Sequence, residues 1–163
     1  MQQHLTTSKK GIQLIKNSEG VRFFPYKCSA GVLTIGIGHA IKKGENFKYP
    51  LTLAAVEDML RKDLAIAEAC INNNVKYQLN QNQFDALVSF IFNNGTGAFL
   101  ESTMLKLLNN KKFSEAANQF QRWNKVTNPT TGKLQESAGL TTRRKAEEKL
   151  FSQAIIKPVP ETP

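Results

Sequence analysis

Residues 18–40 read SEGVRFFPYKCSAGVLTIGIGHA and place one acid, one thiol, one threonine hydroxyl and one histidine within a short length of chain. Glu19 comes first, at the end of an amphipathic run whose apolar face is Ile12, Leu14 and Ile15. Gly20 is positioned to end a helix there. Phe23, Phe24 and Tyr26 favour extended backbone, and Pro25 argues for an edge strand because it donates no ladder hydrogen bond. Ser29-Ala30-Gly31 reads as a turn, and Val32 to Ile37 as the returning strand. Gly36 and Gly38 allow another backbone or a ligand to come close. A hairpin of this kind places Cys28 near Thr34, with Glu19 on the adjoining helix end. Singly, each residue has a plain structural role: a solvated helix-end acid, a small buried thiol, an ordinary strand threonine. Carried together on a Gly-rich element, they outline a cleft with an acid on one wall and small polar groups on the other.

Working outward, the chain of 163 residues is long enough for one domain with a real core, or for two small lobes tightly joined. Hydrophobic residues make up 40% and charged residues 21%, a globular balance. No apolar run is long enough to cross a membrane, and the start, MQQHLTTSKKG, has no apolar stretch of signal-peptide type. Lys and Arg number 22 against 13 acids, for a net charge of +9. Such a surface suits a polyanion: nucleic acid, anionic cell-wall polymer or lipopolysaccharide.

Two cysteines, Cys28 and Cys70, are too few for a disulfide framework, and Cys70 falls on the apolar side of a helix. His4 and His39 are far apart, there is no metal-ligand spacing, and GIGH lacks the helix and Lys of a phosphate cradle. No metal and no cofactor is expected.

After a polar connector at 41–50, Thr52 reads as an N-cap. Val56, Leu60, Leu64, Ala67 and Ile71 then recur at helical spacing, giving a long helix that Asn72-Asn73-Asn74 ends. Asn80 and Gln83 have capping-box spacing, and Phe84, Leu87, Val88, Ile91 and Phe92 form a stripe dense enough for a central helix. Ser102 is expected to cap a short helix to Leu108, and Ser114 another over residues 115–123. Residues 124–139 read as a loop, punctuated by Asn128-Pro129 and Thr131-Gly132. A last helix is expected over 141–155, followed by a flexible tail at 158–163 that holds Pro158, Pro160 and Pro163.

Glu19, Cys28 and Thr34 inside SEG…Y…S.G.LTIGIGH closely resemble the phage-type lysozymes of glycoside hydrolase family 24, and look most like the endolysins of lambdoid phages. NQFDALVSFIFNNGTGAF, FSEAANQFQRWN and GLTTRRKAEEKLF extend the resemblance over nearly the whole chain. The family commonly has Asp where this chain has Cys28, and some members carry Cys. The resemblance implies a mainly α, α+β lysozyme-like fold. A small N-terminal lobe with a β-hairpin sheet, about 12–60, is joined by the long helix to a larger helical lobe. That lobe is about 75–157 plus the N-terminal helix, and the whole is one domain over 1–157.

The function implied is hydrolysis of the β-1,4 bond between N-acetylmuramic acid and N-acetylglucosamine in bacterial peptidoglycan, for host cell lysis. Such a reaction needs an acid to protonate the leaving oxygen, and Glu19 is the only acid in the motif. A general acid working near neutral pH needs burial or weak solvation to keep its proton. Cys28 has three open roles: positioning water, stabilising charge as a thiolate, or attacking as a nucleophile. Family mechanism favours a water that Cys28 and Thr34 help to place. His39 is left out of catalysis, as a strand-end histidine hydrogen-bonded to a neighbouring element. The family alignment puts Phe92, Ser102 and Gln119 among glycan contacts, each with an alternative role in packing or capping.

The expected partners are peptidoglycan strands, with a separate holin for membrane passage and contact with anionic envelope polymers, but no nucleic acid; the chain is expected to be a monomer. It would be made soluble in the bacterial cytoplasm and act on the wall once the inner membrane is permeabilised. A lytic transglycosylase on the same bond stays open. So do a basic nucleic-acid binder, against which the scattered Lys and Arg count, and a wall-binding module without activity.

Overall fold

In the computed structural model, residues 3–155 are described, so the expected tail at 158–163 lies outside them. The first helix, α1 (Lys9–Glu19), buries Gly11 and Ile15 and stops at Gly20, whose φ of 73° suits glycine and whose N–H donates to the Lys16 carbonyl at 2.8 Å. Its N-cap residue Ser8 is held from outside the helix. Asp85, fully buried, accepts from the Ser8 N–H at 3.0 Å, from the Ser8 hydroxyl, and from Gln81 Nε2 at 2.8 Å. A Cβ on Gly11 would sit 2.8 Å from Asp85 Cβ and Cγ, so this glycine is what lets α1 approach the helix that carries Asp85.

A three-stranded antiparallel sheet follows, in the order β1 (Arg22–Lys27), β2 (Leu33–Gly36), β3 (His39–Ala40). Pro25 lies in an edge strand, as its missing N–H requires, and the β1–β2 register is interrupted between Arg22 and Tyr26. Cys28 stands at the hairpin end, where its N–H donates to Val32 at 3.0 Å and its carbonyl accepts from Gly31 at 2.8 Å.

The long helix α2 (Leu53–Asn74) is capped by the Thr52 hydroxyl, which accepts from the Ala55 N–H at 3.1 Å, and buries Val56, Leu60, Leu64, Ala67 and Ile71. Its first turns meet the sheet, with Val56 and Met59 against Gly36; its later turns pack on α3 (Gln81–Asn94) and α4 (Thr96–Leu100). Both hydrogen bonds of the Asn80–Gln83 capping box form. Phe84, Ala86, Leu87, Val88, Phe90 and Ile91 are all buried, so α3 is enclosed on more than one face. Around Phe90 the rings of Phe99, Phe120 and Trp123 meet it edge-on, with centroids at 6.5, 5.7 and 5.2 Å. One cluster of buried side chains runs from Ile15 and Ile37 through α2 and α3 to Leu150 and Phe151, and it includes Cys70.

Four details differ from the sequence reading. The short helix α4 is not anticipated by it. After α5 (Thr103–Leu108), α6 spans Phe113–Gln119 and runs into a 3-10 turn at Phe120–Arg122, with Lys112 and not Ser114 at the N-cap. The chain reaches that cap through Lys111 at φ 59°, with the Lys112 N–H bonded back to Leu107 at 2.9 Å. The expected loop at 124–139 contains a hairpin, β4 (Lys125–Thr127) paired with β5 (Leu134–Glu136). All six strand residues are exposed, so no alternation marks them. The Asn128 side chain accepts from the N–H groups of Thr130 (2.8 Å) and Thr131 (3.1 Å) and shapes the turn. The last helix, α7, is Ala138–Ser152, because the Ser137 hydroxyl caps it by accepting from Leu140 at 3.2 Å.

Candidate active site

Glu19, the last residue of α1, is aimed at the small sheet from one side and at α7 from the other. Arg143 of α7 donates Nη1–H to Glu19 Oε1 at 2.5 Å. The other carboxylate oxygen faces Gly38: a Cβ there would lie 2.9 Å from Glu19 Oε2 and 3.3 Å from the Phe92 ring. Gly38, at φ 64°, is thus where the acid, the sheet and the aromatic end of α3 converge. The two oxygens have distinct surroundings, one ion-paired and one facing Gly38. The side chain of Glu19 is 22% exposed.

Arg143 is itself buried and held. Its Nε donates to Glu147 Oε1 at 3.3 Å and its Nη2 to the Ser89 carbonyl at 3.2 Å. Glu147 also accepts from the Ser89 hydroxyl at 2.7 Å and from Arg144 Nη2 at 3.0 Å, and Arg144 reaches Asn93 Oδ1 at 2.9 Å. Arg144 and Glu147 are fully buried. Burial pulls the Arg144 guanidinium below its ordinary value, with Glu147 opposing; burial pushes the Glu147 carboxyl up, with Arg144 and Arg143 opposing. This pair of arginines and their glutamate anchor the cation that grips Glu19. They are missing from the sequence reading, although a signal was present: Arg143, Glu147 and Leu150 share one helical stripe, so charge sits where an apolar face continues.

The Cys28 thiol, at the end of the β1–β2 hairpin, is partly exposed. Hydrogen bonding from the backbone at Ala30 and then Val32 holds the thiol below its usual range against the opposing effect of burial, with a smaller contribution from Thr34. Thr34 is 5% exposed and donates to the Val32 carbonyl at 2.9 Å. Tyr26, on β1, is influenced by both Glu19 and Cys28. Burial, followed by the charges of Glu19 and Cys28, raises its phenol, while Arg22 stacked over the ring opposes.

The remaining residues fall in two groups. Phe92 is half-buried and reaches Gly38 beside Glu19. Ser102 is 5% exposed and its hydroxyl is engaged on both sides, donating to Phe99 at 2.6 Å and accepting from Leu105 at 3.1 Å as the cap of α5. Gln119 is half-buried at the end of α6. A groove of about 1060 Å³ opens at Glu19 and Ser29 and runs between α1 and α7; of the expected site residues Glu19 lines it, whereas Cys28, Thr34, Phe92, Ser102 and Gln119 do not.

His39 is buried and faces two carboxylates, Nδ1 to Asp63 Oδ2 at 2.7 Å and Nε2 to Glu45 Oε2 at 3.0 Å. Burial disfavours the charged ring, but the hydrogen bonds and charges of Glu45 and Asp63 outweigh it, so the ring's pKa is raised. Glu45 is lowered, first by the Lys42 N–H at 2.8 Å and then by His39. A raised folded-state pKa gives stability that is full below about pH 6.5, the unfolded value, and is lost as pH rises through the folded one. His39→Gln is therefore expected to lower the melting temperature most near pH 6, with the gap to wild type narrowing by pH 9. An equal gap at both pH values would show that the charged ring adds nothing.

The sequence profile of the family described as Phage lysozyme matches residues 16–147. An endolysin of Acyrthosiphon pisum secondary endosymbiont phage 1 is 42% identical over 147 residues, covering 90% of this chain and 98% of that protein. Among solved structures, the endolysin from Escherichia coli O157:H7 phage FAHEc1 superposes with a TM-score of 0.85 at 35% identity, covering 96% of this chain and 99% of the other. The muramidase domain of SpmX from Asticaccaulis excentricus superposes with a TM-score of 0.80 at 36% identity, covering 91% and 99%.

Proposed function

The chain belongs to the phage lysozyme family and is a glycosidase, and from that premise we propose that it hydrolyses the β-1,4 bond from N-acetylmuramic acid to N-acetylglucosamine in peptidoglycan. The observation that carries the reading is the asymmetric setting of Glu19, with Oε1 gripped by Arg143 and Oε2 turned to Gly38. An acid fixed in this way has one oxygen oriented by the protein and one presented to substrate, as protonation of a leaving oxygen needs. Cys28 and Thr34 take the opposite face of the sugar, where backbone hydrogen bonding at the sulfur supports either a bound water or negative charge. Phe92 offers an apolar wall beside the acid. Ser102 and Gln119 act on the glycan more distantly, Ser102 by holding α5 in place.

In this reading the chain works as one lysozyme-like unit. Residues 12–60 form the small lobe, and 75–157 with the N-terminal helix form the large one. The enzyme acts as a monomer on glycan strands, its basic surface helping it onto an anionic envelope. It reaches the wall from the cytoplasm through a membrane opened by a holin. No helix among the described residues is long and apolar enough to cross a membrane.

The test is mass analysis of products from purified peptidoglycan. Hydrolysis leaves reducing N-acetylmuramic acid ends. A transglycosylase leaves 1,6-anhydro ends, lighter by one water, and their dominance would replace this reading.

A further inference from the structure

Among the described residues eleven large apolar side chains are exposed, and six of them lie in one stretch of the small lobe: Phe23, Phe24, Val32, Leu33, Tyr49 and Leu53. Apolar residues scattered singly over a surface need no explanation, but a concentration of them does. The structure ties these six together. The Phe24 ring stacks on Tyr49 with centroids 6.3 Å apart, and the Leu51 N–H donates to the Phe23 carbonyl at 3.0 Å, which fastens the segment before α2 to β1. Leu53 begins α2 two residues later. On the other arm of the hairpin Leu33 pairs with Lys27, next to Val32. Along β1, Phe24 and Lys27 are about 10 Å apart. None of the six lines the groove at Glu19.

The charges of the same stretch have one sign. Residues 21–55 hold Arg22, Lys27, Lys42, Lys43 and Lys48 against a single acid, Glu45. That acid is occupied by His39 and by the Lys42 N–H. Lys27, Lys43 and Lys48 are exposed and form no ion pair among the described residues. The next acid along the chain, Glu57, pairs with Lys16.

We propose that this patch docks on the surface of an anionic phospholipid bilayer, with Phe24, Tyr49 and Leu53 entering the headgroup region and Lys27, Lys43 and Lys48 meeting the phosphates. Rings and aliphatic chains beside long, unpaired lysines suit the boundary between acyl chains and headgroups. The charge selects the occupant. Lysines of one sign complement lipid phosphate and repel a second copy of this chain. A neutral glycan offers them nothing, and Val32, Leu33 and Leu53 bring no hydrogen bonds to its hydroxyls.

The experiment is co-sedimentation of the whole protein with vesicles of phosphatidylglycerol mixed equally with phosphatidylcholine, compared with vesicles of phosphatidylcholine alone. Wild type is expected to bind the anionic vesicles and to stay in solution with the neutral ones. The double variant Phe24→Ser, Leu53→Ser should lower partitioning about tenfold through lost apolar contact. Lys27→Gln, Lys48→Gln should lower it at least about tenfold through lost charge. Two controls, Ile66→Ser, Leu100→Ser and Lys62→Gln, Lys106→Gln, make the same changes elsewhere and should bind as wild type does. Thermal melting checks the fold; the lysine pair changes only exposed side chains and decides the question if the apolar variant melts early. Equal losses in patch and control variants would overturn the proposal in favour of general attraction to a polyanion. A raised KM on soluble glycan strands in the apolar variant, with vesicle binding unchanged, would make glycan the occupant. A dimer in wild type that the apolar variant disperses, with vesicle binding again unchanged, would make the occupant a second copy.

Discussion

Glu19→Gln is expected to fold as the wild type does and to lose about 10²- to 10⁴-fold of its rate on peptidoglycan, the contribution of a positioned general acid. The substitution is nearly isosteric. The amide oxygen of the introduced glutamine can still accept from Arg143 Nη1, and Arg143 keeps its bonds to Glu147 and Ser89. The stability change should therefore stay within about 2 kcal/mol, because a hydrogen bond replaces an ion pair and no buried donor is orphaned. What the variant lacks is a proton to give. Arg143 cannot substitute, since a guanidinium stays protonated at any working pH. Lysis of purified walls, followed as turbidity and as new reducing ends, measures the effect, and thermal melting confirms the fold. Near-normal activity in a folded Glu19→Gln protein would reject Glu19 as the acid.

The parts of the fold that sequence conveys best are those whose cause is local. The Asn80–Gln83 box, the Thr52 cap and the apolar stripe from Val56 to Ile71 depend on neighbours within a turn or two, and each forms as its spacing predicts. The hairpin at 125–136 escapes because three-residue strands with every side chain in solvent carry no period. The site divides in the same way. Glu19, Cys28 and Thr34 lie in one segment and are read together. Arg143 arrives from 124 positions away, and nothing near Glu19 announces it. The buried Arg144–Glu147 pair is hidden by a different cause: charged residues read as a solvated face, although here they continue the stripe of Leu150 and lie under α3. Gly38 is half-legible. A glycine in a strand end suggests close approach, but that the approaching groups are Glu19 and Phe92 is a tertiary fact.

Cys28→Ala is expected to lower the rate about 10²-fold, the loss typical of removing one preorganised hydrogen-bonding group, and to change stability by no more than about 0.5 kcal/mol at a partly exposed position. Cys28→Asp should retain activity within about tenfold of wild type, because a carboxylate accepts hydrogen bonds better than a thiol and places charge where the oxocarbenium ion forms. The backbone donors that hold the thiol below its usual range make thiolate available at lower pH than for a free cysteine, so a thiol-directed reagent should inactivate wild type near neutrality. Cys70 gives the contrast: burial raises its thiol, it lies in the core, and the reagent should leave Cys28→Asp active. The three open roles then separate by product. Water positioning gives an inverted anomer at first release, whereas a covalent nucleophile gives a trapped glycosyl thioether and a retained anomer. A charge-stabilising thiolate predicts that wild-type activity falls as pH drops through the thiol's titration, with Cys28→Asp holding its rate over that range. Full activity in Cys28→Ala would remove the residue from the reaction.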